Sequence, residues 1–240
     1  MNRICRIALL SFGLLLSGCA DFSDVTDPAT REDFASWYNE GTSSMVVEAS
    51  SSSVVVVTSS GTASSSSVVV AVSSSSVASD FSYGTLTDSR DGQTYNTVAI
   101  GTQTWMAENL AYLPSVNAET DSSTTVAKYY VYDYSGTSVS EAEATSNYTT
   151  YGVLYNWTAA NSACPSGWHL PTSDEWDVLE EYVGGSAAGT KLKANSSLWS
   201  TNAGTDNYGF SALPGGYYSG SDFSSVGIFG RWWTATESSS

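Results

Sequence analysis

Residues that support metal or nucleophilic chemistry are scarce in this sequence, which has three cysteines and a single histidine, His169. A structural zinc site needs four cysteine or histidine ligands, and one histidine with Cys164 cannot complete it. A Ser–His–Asp or Cys–His catalytic site would have to use His169. No glycine pair is followed by the Lys-Ser/Thr of a phosphate-binding loop. We therefore expect no enzymatic activity, no metal and no cofactor, and interpret His169 as structural; a Cys164–His169 pair is the alternative.

Basic residues are also few, with eight lysines and arginines against 24 aspartates and glutamates and a formal net charge of −16. Because nucleic-acid binding rests on contacts of Lys and Arg to phosphates, this balance excludes nucleic acid as a partner. The same negative charge disfavours adhesion to anionic lipid headgroups. Long apolar segments are missing as well: the N-terminal run Ile7–Leu16 is shorter than the roughly 20 residues that cross a bilayer.

The N-terminus has the order of features of a bacterial lipoprotein signal. Arg3 and Arg6 form a short positive region, the apolar run follows, and Leu16-Ser17-Gly18-Cys19 ends it with small residues before a cysteine. We predict a signal peptide over residues 1–18 and acyl chains on Cys19 that hold the exported chain to the membrane. The expected location is the cell envelope, on the outer membrane. An ordinary cleaved signal or a short buried helix is the alternative.

The composition changes twice after Cys19. Residues 19–43 are acidic and polar, which predicts a tether, and residues 44–80 are serine and valine runs of low complexity. Serine cannot offset the ordering entropy of a packed core, so we predict a disordered linker, although the valine runs could also pair as strands. Residues 81–240 are rich in tryptophan and tyrosine, and about 160 residues suffice for one domain with a core.

Local patterns in residues 81–240 predict a mixed α+β domain with short strands, one or two short helices and much loop. Tyr95–Gly101 and Gln103–Leu110 are interpreted as a hairpin with Gly101 at its turn. The strongest helix signal is Ser173–Val183, where Thr172 and Glu175 have the spacing of a capping box. Further strands are predicted at 128–134, 152–157, 208–212, 216–218 and 231–236, a short helix ends near residue 163, and residues 139–146 are expected to form a loop.

Acidic clusters in the domain are interpreted without a metal. Asp88 and Asp91 precede Gly92 in an order that hints at a calcium loop, but their spacing fails the EF-hand pattern, and a hairpin turn is the preferred interpretation. The acidic residues of Ser173–Val183 suit the positive end of a helix dipole in its first turn and are otherwise expected to face solvent.

The aromatic residues supply the main indication of a ligand. Five of them lie in segments rich in glycine, serine and asparagine, and the first four are the candidate ligand residues: Trp199, Tyr217, Tyr218, Trp232 and Trp233. Aromatic faces beside short amide and hydroxyl groups suit flat polar ligands such as sugars, and they also suit protein epitopes. The alternative is that these side chains fill the core, and we expect at most two or three of them to be exposed.

Several motifs resemble one bacterial family. They are similar to motifs of the Fibrobacter succinogenes major paralogous domain. The matching segments are Asp88-Ser-Arg-Asp-Gly-Gln-Thr-Tyr95 with Ile100-Gly-Thr-Gln-Thr-Trp-Met-Ala-Glu-Asn-Leu110, then Cys164-Pro-Ser-Gly-Trp-His-Leu-Pro-Thr172, and finally Trp232-Trp-Thr-Ala-Thr-Glu237. The resemblance covers residues 84–240 and implies an exported, often lipid-anchored surface domain without an established active site. The segment from Gly167 to Trp176 also resembles the C-type-lectin-like fold shared with formylglycine-generating enzymes.

The family pattern continues beyond the Trp-Trp motif and ends near a cysteine, which the resemblance makes the expected disulfide partner of Cys164. Cys5 falls in the predicted signal and Cys19 is predicted to carry lipid, so we expect Cys164 to lack its partner. We also expect the domain to be truncated after Ser240, with an unpaired sheet edge and an unfilled core.

Location, tether and aromatic residues together predict a lipid-anchored, surface-displayed, non-catalytic binding module. Its expected partners are the membrane, through the acyl chains on Cys19, and an extracellular carbohydrate or a surface protein. An enzyme on a formylglycine-generating-like fold is one alternative, and it would need Cys164 as a reactive thiol. A purely structural envelope lipoprotein is the other.

Overall fold

A three-stranded antiparallel meander opens the aromatic-rich region of the computed structural model, which describes residues 2–9, 19–21 and 81–237. Its strands are β4 (Phe81–Thr87), β5 (Thr94–Ile100) and β6 (Gln103–Met106). Ile100 pairs with Gln103 across a two-residue turn in which Gly101 has φ 59°, a left-handed conformation that glycine adopts without strain. The predicted hairpin is confirmed, and β4 is an additional strand that the sequence patterns did not indicate.

The N-terminal residues of the full chain supply three more strands. They are β1 (Asn2–Ile4), β2 (Ala8–Leu9) and β3 (Cys19–Asp21). β1 pairs in parallel with β6, which gives a four-stranded sheet in the order β1-β6-β5-β4. The remainder of the predicted signal (Met1 and residues 10–18), residues 22–43 of the tether and the 44–80 linker lie outside the described residues.

A second sheet has the order β3-β11-β2-β8-β7, with β7 (Tyr129–Tyr130), β8 (Leu154–Tyr155) and β11 (Arg231–Trp233) as its other members. β2 lies between β8 and β11, so the N-terminal residues join the two sheets. A separate antiparallel pair consists of β9 (Gly215–Tyr218) and β10 (Phe223–Val226). The strands predicted near residues 129, 154, 216 and 231 exist, and each of the first two has only two residues.

Short helices connect these strands. They are α1 (Val139–Glu143), α2 (Ser146–Tyr151), α3 (Trp157–Ala163), α4 (Ser173–Val183), a 3₁₀ helix (Gly185–Ala187) and α5 (Ala188–Leu192). The capping box of α4 is confirmed, because Thr172 Oγ1 accepts from the Glu175 amide and the Glu175 carboxylate accepts from the Thr172 amide at 2.9 Å. α4 buries Trp176, Leu179 and Val183 against the core.

Two local predictions are wrong, and the five α-helices in the described residues also exceed the one or two that the sequence predicted. Residues 139–146 contain all of α1 and the first residue of α2 instead of a loop. Thr145 Oγ1 caps α2 by accepting from the Tyr148 amide at 3.1 Å. The strand expected at 208–212 is a turn followed by an isolated bridge, since Asp206 and Ser211 have φ of 47° and 54°, which interrupts extended structure. The Asp206 carboxylate stabilises this turn by accepting from the amide and hydroxyl of Ser211.

The core within the described residues consists of three apolar clusters. The first surrounds Tyr95, Met106 and Tyr155, the second surrounds Trp105, Trp176 and Phe210, and the third is formed around Tyr130 and Tyr218. The rings of Trp105 and Trp176 have centroids 4.6 Å apart, which anchors α4 on the meander. The described residues thus form a mixed α+β domain, and no helix among them is long and apolar enough to cross a bilayer.

Candidate functional site

A cleft of about 720 Å³ opens between the meander, α2 and the loop before β9, and we call it the tyrosine cleft. It combines aromatic rings with amides, hydroxyls and one carboxylate. Its lining includes four tyrosines, three amide side chains and one glutamate: Tyr83, Tyr95, Tyr148, Tyr151, Gln93, Asn96, Asn109 and Glu108. Concave surfaces of this size with a few convergent polar groups are the usual form of a small-ligand site.

Hydrogen bonds fix the deepest tyrosines of the cleft. Tyr95 is buried on β5, and its hydroxyl accepts from the Ala111 amide at 3.1 Å. Tyr148 on α2 donates to the Ala111 carbonyl at 3.0 Å, and burial raises the pKa of Tyr148 to about 12. Burial also raises the pKa of Tyr95. Both hydroxyls therefore stay protonated at neutral pH, and both rings are held in place before any ligand binds.

Asn109 lies at the base of the cleft and ties three parts of the chain together. Its Oδ1 accepts from Trp232 Nε1 at 2.8 Å and from Arg6 Nε at 3.1 Å, and its Nδ2 donates to the Tyr151 carbonyl at 2.8 Å. The side chain is buried, and all of these partners lie within the protein. Asn109 is therefore a positioning residue for the cleft wall and is poorly placed to meet a ligand directly.

Three exposed polar side chains of the cleft, Gln93, Asn96 and Glu108, lie on the meander or directly beside its strands. Glu108 follows β6 and is exposed, and its Oε2 accepts from the Asn96 amide on β5. This bond orients the carboxylate and leaves its second oxygen as an acceptor for ligand hydroxyls. The side chains of Gln93 and Asn96 are exposed beside it and can both donate and accept.

Tyr83 forms the rim of the cleft and is the most exposed aromatic side chain there, with 66% of its surface accessible. Its ring lies against the backbone of Gly209, where φ is +66° and any side chain would overlap the tyrosine hydroxyl. The glycine thus allows the ring to rest on the opposite wall of the cleft. An exposed aromatic face held by backbone contact offers a ligand a flat apolar surface at little entropic cost.

The residues expected to bind a ligand lie elsewhere. Trp199, Tyr218 and Trp232 are buried, and Trp199 Nε1 donates to the Ala212 carbonyl at 3.1 Å while Tyr218 donates to the Glu119 carbonyl. The burial of these three agrees with the alternative that a domain with few aliphatic residues fills its core with aromatic rings. Tyr217 is half-buried under the guanidinium of Arg231, 4.3 Å from the ring centroid. A ligand role for Tyr217 stays a prediction.

The acidic and histidine residues considered for chemistry have structural partners. Asp88 is buried in the β4–β5 turn, where both of its oxygens accept from the guanidinium of Arg90. His169 Nε2 is 2.9 Å from Glu175 Oε1, which belongs to the capping box of α4. Burial would raise the pKa of Glu175, but its hydrogen bonds to Thr172, His169 and Asn2 outweigh that effect and lower it. Across residues 2–9, 19–21 and 81–237, no three His, Cys, Asp or Glu side chains come close enough to share a metal ion.

Cys164 borders a smaller hollow of about 260 Å³ together with Trp168 and His169. Its thiol is free, and so is that of Cys5, which is buried beside it within hydrogen-bonding reach. Burial, together with this neighbour, raises the pKa of Cys5 well above its usual value. The expectation that Cys164 lacks a partner concerned the chain after removal of residues 1–18, and in the full chain Cys5 adjoins it.

The fold and its motifs define a mixed α+β domain built around a capped helix and an aromatic core. The family model of the Fibrobacter succinogenes major domain matches residues 98–240, and the chain belongs to that family. The match begins within β5 and includes Glu108, Asn109 and the α2 wall of the cleft, whereas Tyr83 precedes it. No curated protein and no solved structure matches the chain.

Proposed function

We propose that this domain is a non-catalytic module that binds a neutral carbohydrate in the tyrosine cleft. The observation that supports this most is the exposed ring of Tyr83 beside the exposed groups of Glu108, Gln93 and Asn96. Sugar rings present apolar faces that stack on aromatic rings and hydroxyls that pair with carboxylate and amide groups. The net charge of −16 disfavours anionic polysaccharides, because like charges repel on approach.

We further propose that the module is exported and anchored to the outer membrane through acyl chains on Cys19, with residues 19–80 as its tether and linker. The lipobox Leu16-Ser17-Gly18-Cys19 supports this part of the proposal. We also propose that the domain is a variant of the C-type-lectin-like fold, on the strength of the Gly167-Trp-His-Leu-Pro-Thr172 segment that leads into α4.

Binding is tested by titrating the purified full chain with a panel of neutral oligosaccharides and polysaccharides, using calorimetry and an immobilised glycan array. Tyr83→Ala removes the stacking face, and we expect about two- to tenfold weaker binding. Glu108→Gln keeps the shape and removes the charge, and we expect about tenfold weaker binding. Tyr182→Ala is the matched control, because Tyr182 is 44% exposed on α4 outside the cleft. The proposal fails if no glycan binds, or if Tyr83→Ala and Tyr182→Ala have the same effect.

The anchor is tested separately by metabolic labelling with a fatty-acid analogue in a bacterial host that processes lipoproteins. The wild-type chain is expected to carry the label and to sediment with membranes. Cys19→Ser is expected to lose the label and leave the membrane fraction, whereas Cys164→Ser keeps both properties. Labelling that persists in Cys19→Ser would refute the anchor and leave carbohydrate binding untouched.

A further inference from the structure

Two thiols lie side by side where the N-terminal segment meets the end of α3, and we call them the thiol pair: Cys5 and Cys164. Both are free, and they lie within hydrogen-bonding reach of each other. Cys5 follows β1 and is fully buried, whereas Cys164 ends α3 and is half-buried. Neither residue lines the tyrosine cleft, so the pair is a reactive group that carbohydrate binding leaves unused.

Backbone bonds fix Cys5 beside the segment that follows Cys164. The Cys5 amide donates to the His169 carbonyl at 2.8 Å, and the His169 amide donates to the Arg3 carbonyl at 3.2 Å. Together these two bonds form a parallel bridge between Ile4 and His169. The side chain of Cys5 lies in the first apolar cluster, and Cys164 packs against the same cluster. The contact between the two thiols is therefore set by the backbone on the Cys5 side.

Arg90 fixes the Cys164 side of the pair. Its Nη2 donates to the carbonyl of Ala163 at 2.7 Å, directly before Cys164, and it is also held by the Asp88 carboxylate at 2.6 Å. Burial raises the pKa of Cys5, the neighbouring Cys164 raises it further, and the positive charge of Arg90 acts in the opposite direction. Cys5 therefore stays protonated at neutral pH and is the less reactive thiol, because the thiolate is the nucleophile.

The smaller hollow gives solvent access to one member of the pair. Cys164 borders this hollow of about 260 Å³ together with the exposed side chains of Asn161 and Ser162 and the half-buried ring of Trp168. Cys5 does not line the hollow and is fully buried. One accessible thiol next to a second, resolving thiol is the arrangement of a cysteine pair that responds to oxidants.

We propose that the thiol pair is a redox site, at which Cys5 and Cys164 form a disulfide when the full chain meets a small-molecule disulfide such as oxidised glutathione. The Cys164 thiol loses its proton and its sulfur attacks one sulfur of the reagent, which releases one glutathione thiolate that takes up a proton. Cys5 then loses its proton and attacks Sγ of Cys164, which releases the second glutathione. The two cysteines lose two electrons, and one reagent molecule is reduced to two molecules of glutathione.

This disulfide joins the N-terminal strands covalently to the end of α3. It closes a loop of roughly 160 residues, and a loop of that length strongly restricts the unfolded chain. The pair exists while residues 1–18 remain on the chain, so the inference concerns the chain before processing at Cys19. It is independent of the proposed carbohydrate binding and of the acyl anchor.

The test uses the full chain with Cys19→Ser, produced in a host that does not export it, so that the thiol pair holds the two remaining cysteines. The reduced protein is incubated with oxidised glutathione, quenched with an alkylating reagent and analysed by intact mass and peptide mapping. We expect the loss of two hydrogen atoms and one pair of peptides joined at Cys5 and Cys164. The thermal midpoint should rise by at least about 5 °C and return to its original value with dithiothreitol.

Cys5→Ala is the matched variant, because it keeps the accessible thiol and removes the resolving one. Its reaction is expected to stop at a glutathione adduct on Cys164. In Cys164→Ala, the buried Cys5 should react at least about tenfold more slowly than Cys164 does. A lasting adduct on Cys164 with Cys5 present, two unmodified thiols at equilibrium, or a disulfide between two chains would each overturn the proposal. Equally fast reaction of Cys5 in Cys164→Ala would overturn the order of the two steps.

Discussion

Asn109→Ala is expected to destabilise the full chain strongly, because one small side chain serves three buried partners. The substitution removes the acceptor of Trp232 Nε1 and Arg6 Nε and the donor to the Tyr151 carbonyl. Each buried group that loses its bond costs about 1–3 kcal/mol, and one of them is charged. Allowing for non-additivity, we expect a loss of about 3–5 kcal/mol, a large part of the roughly 5–15 kcal/mol that stabilises a typical domain.

The assay is urea unfolding followed by tryptophan fluorescence. With a slope m of about 2 kcal/mol/M, the expected loss lowers the midpoint Cm by roughly 1.5–2.5 M. Asn109→Asp keeps an oxygen for Trp232 and Arg6 and loses only the donor to Tyr151, so a smaller loss is expected. Asn195→Ala, at an exposed asparagine, should change stability by less than about 0.5 kcal/mol. A loss below about 1 kcal/mol for Asn109→Ala would refute this reasoning.

Three further predictions concern a turn, a helix cap and the cleft rim. Burial would raise the pKa of Asp88, but the hydrogen bonds from Arg90 outweigh that effect and lower it. The contribution of Asp88 to stability is therefore complete above about pH 4 and is lost as the pH falls through the folded-state pKa. Asp88→Asn should make stability depend less on pH in the acid range. Thr172→Ala should cost about 1 kcal/mol in urea unfolding, and a neutral result would contradict the capping assignment. Gly209→Ala should displace the Tyr83 ring and weaken glycan binding, whereas Gly92→Ala, also at positive φ but with open space around it, should strain the backbone and leave binding unchanged.

The parts of the fold that the sequence predicted are those whose causes are local. α4 is specified within one segment by Thr172, Glu175 and Gly184, which act as cap, box partner and left-handed terminator. The β5–β6 hairpin is specified by its two-residue turn at Gly101 in the same way. Such signals need no knowledge of the rest of the chain, and both elements appear where they were expected.

The cleft and the placement of the aromatic rings could not be predicted in this way. The rim and walls come from Tyr83, Glu108, Tyr148 and Gly209, which lie far apart along the chain and meet only after the sheets and α2 have packed. The composition gives the number of aromatic residues, but the exposure of Trp232 or Tyr83 depends on which face of its strand packs against the core. Glu108 was visible in the sequence only as part of a family motif.

The N-terminal strands were missed for a different reason. An apolar run that follows two arginines satisfies the pattern of an export signal and, at the same time, the requirements of a buried strand. The pairing of Asn2 with Gln103, or of Ala8 with Trp232, spans 100 or more residues and leaves no local trace.

This long-range pairing also limits how early during synthesis the N-terminal strands can pair. β2 cannot complete its place in the sheet until β11 has been made, because Ala8 pairs with Trp232 near the other end of the chain. At about 5–20 residues per second, the ribosome needs roughly 10–45 s to pass from the first of these residues to the second. Throughout that interval the N-terminus has no finished sheet to enter, so it remains accessible to any factor that reads it as the nascent chain emerges.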